Sequence, residues 1–338
     1  MPMDSSVPLT PFHFTTSAPP ILETTLDRIL HVIGASWTDS TKELYGTGLL
    51  IFHVYSDLNQ IPEPKYSSSA ITNYASALCA WHILHGHPLS IQRDELKTIL
   101  NGATRLTPKT SKRSQRPPLT IEAVKVIRAH LNLDDPRDAA IFACIIIVLY
   151  CVARLGEFTV PAISKFNPSE HITRAGLLHL WDPEGLLVMK FRIPFTKCSA
   201  TGEDTQCTPL PGCITDPQAA LENHFRVNPA PQDAHLFSWK HPKSGLCPLS
   251  KTEVTSRLTA VSKACSLSNL KGHSLRIGGT LHYLLKGVPF DVVKVMGRWA
   301  RNSFTLYLCN HTLILALFLQ ADNDALASFN HFTMPPGC

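Results

Sequence analysis

Apolar side chains recur every three or four residues in the first third of the chain, which is the spacing of one face of an α-helix. Three segments show this spacing, and the third runs from a cap near Ser68 to a stop at Gly86. Residues 1–20 are instead rich in Pro, Ser and Thr, a composition typical of a disordered tail. The pattern therefore predicts a small all-helical unit over residues 21–106. The three predicted helices are residues 21–33, 40–58 and 68–86.

The pattern changes in the second part of the chain, where an amphipathic helix is predicted directly after Leu119. The run Ala139–Ala153 is apolar throughout, but it is shorter than the roughly 20 residues of a membrane span, so we predict a buried helix and no membrane. Strands are predicted around Leu177–Trp181 and Leu186–Phe195, on either side of the turn signal DPEG. Helices return from about Lys251. The predicted fold class is mainly α with a small β-sheet.

The composition is that of a globular protein, because 44% of the 338 residues are hydrophobic and 17% are charged. The net charge of +5 permits a polyanionic partner without requiring one. Basic side chains concentrate in residues 107–120, whose Pro, Ser and Thr content is typical of an extended linker. The linker is either a solvated hinge or a strap along a phosphate backbone. In the second case its contacts with DNA are made by Lys109, Lys112, Arg113 and Arg116.

The ten Cys residues are scattered along the chain without a CxxC pair, and the first residues show no secretory signal pattern. We therefore expect a reduced, intracellular setting. Cys198, Cys207 and Cys213 are the nearest approach to a metal cluster, but they lack the spacing of known zinc ligands. We predict no metal and no other cofactor.

Several side chains further along suit chemistry at a phosphodiester. The stretch ARLGEF places Arg154 just after the apolar run, with Glu157 three residues on to orient it. The stretch FTKC places Lys197 at the end of a predicted strand, and GHSLR places His273 and Arg276 one helical turn apart. Taken singly, these are an ordinary surface ion pair, an exposed lysine and a buried histidine. Taken together, they supply cationic donors for phosphate oxygens and groups that move protons, without a metal.

These motifs, in this order, resemble those of the tyrosine recombinases, the phage-integrase family. The resemblance continues to Trp299, in the position filled by His or Trp, and to Tyr307, in the position of the nucleophile. The stretches GRWARNSFTLYL and ALCAWHILHGHPL are similar to the fungal, eukaryotic mobile-element branch of the family. The resemblance implies a helical, SAM-like DNA core-binding domain in 21–106 and a basic linker in 107–120. It also implies a mixed α/β catalytic domain in 121–332, which closes with the first domain around DNA as a C-shaped clamp.

The resemblance further implies a reaction on double-stranded DNA. Tyr307 would attack the scissile phosphate and form a 3′-phosphotyrosyl link, while His273 eases the loss of the phenolic proton. Arg154 and Arg276 would hold the phosphate oxygens, and Lys197 would protonate the leaving 5′ oxygen.

The implied setting of this reaction is an assembly of several copies of the chain. Trp299 would pack at the site and donate its indole N–H to the same phosphate. A homo-oligomer on DNA, a tetramer, is expected, located in the nucleus if the chain is eukaryotic and otherwise in the cytoplasm. The apolar stretch LILALFL after Tyr307 either packs on its own domain or docks on a neighbouring subunit.

Two other interpretations stay open. Family members usually carry a further helix between the segments that end near Asp57 and begin near Ser68, and the connector here is too short for it. This departure favours a catalytically silent DNA-binding relic or a domesticated mobile-element protein. A helical interaction protein whose motifs coincide by chance would have no affinity for DNA.

Overall fold

The structure is a computed structural model, which describes residues 68–89, 91–106, 116–196, 199–267 and 270–299. The described residues fall into two compact units, which we call the first unit (up to residue 106) and the second unit (from residue 116). The predicted tail, the first two predicted helices, most of the linker and every residue after Trp299 lie outside the described residues.

Two helices make up the described part of the first unit, α1 (Ser68–Leu84) and α2 (Arg93–Leu106). Helix α1 begins where the sequence predicts a cap, and the chain then turns at Gly86, whose φ of 65° lies in the left-handed region that favours Gly. The sequence analysis does not predict α2. Its acidic first turn and the basic Arg105 in its last turn complement the helix dipole.

The core of the second unit is built around one apolar helix. Helix α3 (Ile121–Ala129) begins after Thr120, whose hydroxyl accepts from the Ala123 amide. Helix α4 (Pro136–Tyr150) follows, and all its residues from position 138 onward are buried. The predicted buried helix is therefore present, and it is a core element because other elements of the second unit cover it on all sides.

A three-stranded antiparallel sheet follows, in the order β1–β2–β3. Its strands are β1 (Leu177–Trp181), β2 (Leu187–Ile193) and β3 (Glu203–Cys207). The first two match the predicted strands, whereas β3 is absent from the prediction because its sequence, EDTQC, is mostly polar. The Asp204 carboxylate pairs with Lys190 at 2.7 Å and with Arg192 at 3.1 Å on the neighbouring strand. Cross-strand charge pairing thus compensates for the low strand propensity of this segment.

Three more elements in the middle of the second unit are also missing from the prediction. They are α5 (Pro217–Val227), β4 (Trp239–His241) and β5 (Gly245–Cys247), the last two forming an antiparallel hairpin. Helices then return at Lys251, as the sequence predicts. These helices are α6 (Lys251–Ala264), α7 (Gly272–Leu285) and α8 (Phe290–Met296).

The second unit is thus mainly helical with two small antiparallel sheets, which confirms the predicted fold class for this part of the chain. Among the residues that the structure describes, none forms a helix long and apolar enough to cross a membrane.

Helix α7 packs against α4 more closely than a side chain at Gly279 permits. A Cβ atom at Gly279 would lie 2.0 Å from the Leu149 carbonyl oxygen, which belongs to the backbone of α4. We expect Gly279→Ala to lower the free energy of unfolding by about 1–3 kcal/mol, because α7 must move away from α4. The midpoint of urea unfolding measures this change.

The matched control is Gly156→Ala, because a Cβ at Gly156 meets nothing within 4 Å. This variant should change the free energy of unfolding by less than about 0.5 kcal/mol. Equal urea midpoints for the two variants would contradict the close packing of α7 on α4.

Candidate active site

A groove of about 850 Å³ lies on the second unit, and its described lining is strongly basic. Six of the lining residues are Lys or Arg, one is His273, and none of the described lining residues is acidic. The basic residues are Arg116, Arg154, Lys251, Lys263, Lys271 and Arg276. A concave surface of one charge focuses its field on the enclosed space, so the groove is suited to a polyanion.

Arg154 is placed in this groove by the turn that ends α4. Arg154 immediately precedes a short 3-10 helix, Leu155–Glu157. The Glu157 carboxylate accepts from the Arg154 amide at 2.9 Å and from Arg154 Nη1 at 2.8 Å. The side chain of Glu157 is 6% exposed, whereas that of Arg154 is 37% exposed. Glu157 therefore fixes the guanidinium from the protein side, and the rest of the guanidinium is accessible from the groove.

His273 and Arg276 are brought to the same groove by the first turn of α7. This turn packs directly on the Arg154 turn, since a Cβ at Gly272 would lie only 2.7 Å from Leu155 Cδ2. Residues 119 positions apart in sequence therefore meet, because the ends of α4 and α7 are held together by the packing of the two helices. The sequence predicts Arg154, His273 and Arg276 as site residues, and the structure places all three in one groove.

Arg276 is almost completely buried, with an exposed fraction of 1%. Its Nη2 donates to the carbonyl oxygen of Gly297, and its guanidinium carbon lies 4.1 Å from the centroid of the Trp299 ring. A guanidinium stacked on an aromatic face is fixed in both position and plane. Trp299 is itself buried and is not among the residues that line the groove. It stacks on Arg276 and packs in a cluster with Val152, and its predicted bond to a phosphate stays a prediction.

The electrostatics of the groove keep His273 neutral. Partial burial and the positive charges of Arg116, Arg276 and Arg154 hold the pKa of His273 below its usual value of 6.5. A neutral imidazole accepts a proton, whereas an imidazolium does not. At pH 7 His273 is therefore in the form required of a general base.

We expect the pKa of His273 to rise toward 6.5 when Arg116 is replaced by Gln, because a nearby positive charge is removed. In the native chain the imidazole should be less than half protonated at pH 6.5. An NMR titration of the imidazole signals measures this pKa, with His273→Asn identifying the resonance. Arg226→Gln is the control, since Arg226 is exposed and pairs with Asp134. Equal pKa values in the native chain and the Arg116→Gln variant would show that these charges do not act on His273.

Several predicted site residues lie outside the described residues. They are Lys109, Lys112, Arg113, Lys197 and Tyr307. Thr196 and Ser199, which lie on either side of Lys197 in the connection from β2 to β3, pair with each other in an isolated antiparallel bridge. Of the four linker bases, Arg116 falls in the described part of the chain, and it lines the groove.

The structure adds residues that the sequence analysis does not nominate. One face of α6 lines the groove with Lys251, Thr255, Thr259 and Lys263, which are spaced by four and therefore lie in a row along the helix. Lys271, just before α7, also lines the groove. The regular spacing was visible in the sequence, but nothing in the sequence shows which face of α6 points to Arg154. Arg298, discussed below, is a further addition.

No metal site is evident in the described ranges. There, no group of three or more His, Cys, Asp or Glu side chains is arranged to hold a metal ion. The functional groups that meet in the groove are guanidinium, ammonium, imidazole and hydroxyl groups.

No protein-family model matches the chain, and no curated protein matches it. Several solved structures are similar. A XerA recombinase is 14% identical with a TM-score of 0.37, covering 92% of this chain and 98% of that one. A Flpe–Holliday junction complex is 12% identical with a TM-score of 0.40, covering 83% and 77%. A lambda integrase dimer bound to a COC′ core site is 14% identical with a TM-score of 0.42, covering 85% and 76%.

Proposed function

We propose that this chain is a tyrosine recombinase, which cleaves and rejoins double-stranded DNA through a 3′-phosphotyrosyl intermediate formed by Tyr307. The observation that carries the proposal is the convergence of Arg154, His273 and Arg276 in one basic groove. The transfer of a phosphodiester to a hydroxyl requires donors for the charged phosphate oxygens and a base for the hydroxyl proton. Two guanidinium groups and one neutral imidazole supply them.

The two arginines are suited to stabilise the charge that builds on the phosphate. Each guanidinium offers a planar fork of N–H donors that matches two phosphate oxygens. Arg276 is fixed by Trp299 and Gly297, and Arg154 is fixed by Glu157, so neither needs to reorganise during the reaction. Donors held in place in this way lower the barrier more than mobile donors do.

The proton balance of the reaction closes with the residues of this chain. The Tyr307 hydroxyl loses its proton to His273, and its oxygen attacks phosphorus. The bond from phosphorus to the 5′ oxygen breaks, and Lys197 supplies the proton that makes a free 5′ hydroxyl. A phenol with a pKa near 10 costs roughly 4 kcal/mol to ionise at pH 7, which a neutral imidazole beside it offsets in part. The phosphotyrosyl bond conserves the energy of the phosphodiester, so rejoining requires no nucleotide.

The described tyrosines of the second unit are unsuited to be the nucleophile. The Tyr150 hydroxyl lies 2.8 Å from Thr215 Oγ1, and the Tyr283 hydroxyl donates to the Tyr150 carbonyl oxygen at 2.9 Å. Burial raises the pKa of both phenols, and neither residue lines the groove. Tyr307 follows Trp299 by eight residues. Trp299 itself packs on Arg276, a residue of the groove.

The row of polar and basic side chains on α6 supports DNA as the partner. Lys251 and Lys263 lie at opposite ends of the row, and the hydroxyls of Thr255 and Thr259 lie between them. Ammonium and hydroxyl groups are common donors to phosphate and sugar oxygens. We also propose that the linker bases Lys109, Lys112 and Arg113 contact the DNA backbone. The proposed active form on DNA is a homo-tetramer. Binding should weaken steeply as salt is raised.

Covalent trapping on nicked DNA tests the proposed function. A pool of nicked duplexes with randomised sequence, supplemented with DNA that flanks the gene, is incubated with the native chain in EDTA. We expect a protein–DNA adduct that survives denaturation, and peptide mapping should place the nucleotide on Tyr307. Salt-sensitive DNA binding without an adduct would favour a silent DNA-binding protein, and absence of DNA binding would favour a helical interaction protein.

A further inference from the structure

The turn Gly297–Trp299, directly after α8, contacts Arg276 and also Glu157, the carboxylate that binds Arg154. Its first residue accepts a hydrogen bond from Arg276, and its third residue stacks on Arg276. The residue between them, Arg298, points elsewhere. Its side chain is 10% exposed, and its φ of 55° lies in the left-handed region, which is uncommon for a residue other than Gly.

The side chain of Arg298 joins two other parts of the site. Its Nη2 donates to Glu157, the same carboxylate that holds Arg154. Its Nε lies 3.3 Å from Glu203 Oε2 on β3. Glu203 Oε2 also accepts from the hydroxyl of Thr196, the residue before Lys197. One guanidinium therefore connects the Arg154 turn with the strands on either side of Lys197.

The charges explain why Glu157 needs this second partner. Glu157 is 6% exposed, and a buried carboxylate is tolerated only when it is paired and hydrogen-bonded. With Arg298 in place, the carboxylate is shared by two guanidinium groups, and Arg154 retains positive charge for a ligand in the groove. Without Arg298, Glu157 would have Arg154 as its only described ion-pair partner and would draw that side chain toward the protein.

We propose that Arg298 is a positioning residue, which holds Arg154, through Glu157, and strand β3, through Glu203, in place relative to Arg276. The proposal rests on the proposed function. Arg298 is not among the residues that line the groove, so it acts through Glu157 and Glu203. The left-handed backbone at position 298 is consistent with this role, because Gly would relieve the strain there but would lose both ion pairs.

Single-turnover cleavage of a nicked duplex at saturating protein tests the proposal. We expect Arg298→Met to slow cleavage by about a hundredfold, the order of loss that a displacement of about 1 Å at a catalytic group produces. Arg298→Lys keeps the charge but not the fork, and should recover part of the rate. The dissociation constant for DNA should stay unchanged in both variants. Arg226→Met is the matched control, since Arg226 is exposed and pairs with Asp134 outside the groove.

Two further measurements separate positioning from a general structural effect. Cleavage losses from Arg298→Met and Glu157→Gln should be non-additive, because both act on Arg154 through one contact. The NMR signal of the Arg154 Nε–H group should shift in Arg298→Met and not in Arg226→Met, and this readout needs no activity. An unshifted signal, or native cleavage rates in folded Arg298→Met, would overturn the proposal. A native chain that forms no adduct would instead contradict the proposed function, while the NMR signal would still decide the role of Arg298.

Discussion

Replacing Tyr307 with Phe is expected to abolish the covalent protein–DNA adduct and to leave DNA affinity unchanged. The substitution removes one oxygen atom, and with it the only atom that forms the bond to phosphorus in the proposed reaction. The basic lining of the groove is untouched, so the ionic contribution to binding remains. Denaturing electrophoresis of nicked duplexes measures the adduct, and titration at several salt concentrations measures the affinity.

The matched control is Tyr283→Phe. Tyr283 is a partly buried tyrosine of the same unit whose hydroxyl donates to the Tyr150 carbonyl oxygen. Its loss should destabilise the fold by about 1 kcal/mol and leave adduct formation intact. An adduct at the native level from the Tyr307→Phe chain would show that another residue attacks the phosphate.

The sequence predicts those elements of the second unit whose hydrophobic pattern and end residues both indicate the same secondary structure. Helix α4 is apolar from Ala139 to its end, and Asp135 caps its first turn, which begins at Pro136. The Arg154–Glu157 contact is likewise local, because residues three apart are neighbours in a helical turn. Strand β3 has no such signal, since its stability comes from Lys190 and Arg192 on the neighbouring strand.

The same distinction applies to the candidate site. The motifs at Arg154, His273 and Arg276 indicate which residues meet, but not what holds them. Arg298 meets Glu157 across 141 positions of sequence, and no periodicity or spacing reports a contact of that range. The burial of Arg276 beneath Trp299 also depends on how α8 ends, which a short helix followed by a left-handed residue does not reveal in sequence.

Repulsion among the positive charges of the groove explains why the groove has many supporting contacts. Six basic side chains repel one another when no polyanion is bound. The second unit offsets this repulsion with carboxylates placed behind the groove, such as Glu157, and by keeping His273 neutral. A bound phosphate would remove the repulsion, so DNA should raise both the pKa of His273 and the stability of the second unit.

Replacing Arg154 or Arg276 with Lys is expected to slow cleavage by about 10²–10³-fold, because each change removes a planar fork aimed at the phosphate oxygens. The two variants should differ in stability. Arg154 is 37% exposed, so Lys is accommodated there at little cost. Arg276 is 1% exposed and stacked on Trp299, so Lys leaves a poorly filled site and should lower the free energy of unfolding by about 1–3 kcal/mol.

Single-turnover cleavage and urea unfolding, measured on the same preparations, separate the two effects. Arg226→Lys serves as the control, since Arg226 is exposed and lies outside the groove. A transition-state role requires that Arg154→Lys lose its rate while keeping the native urea midpoint and the native affinity for DNA. If Arg154→Lys cleaves at the native rate, the fork fixed by Glu157 does not act on the reacting phosphate. In that case Arg154 would contribute only positive charge to binding, which Lys supplies equally well.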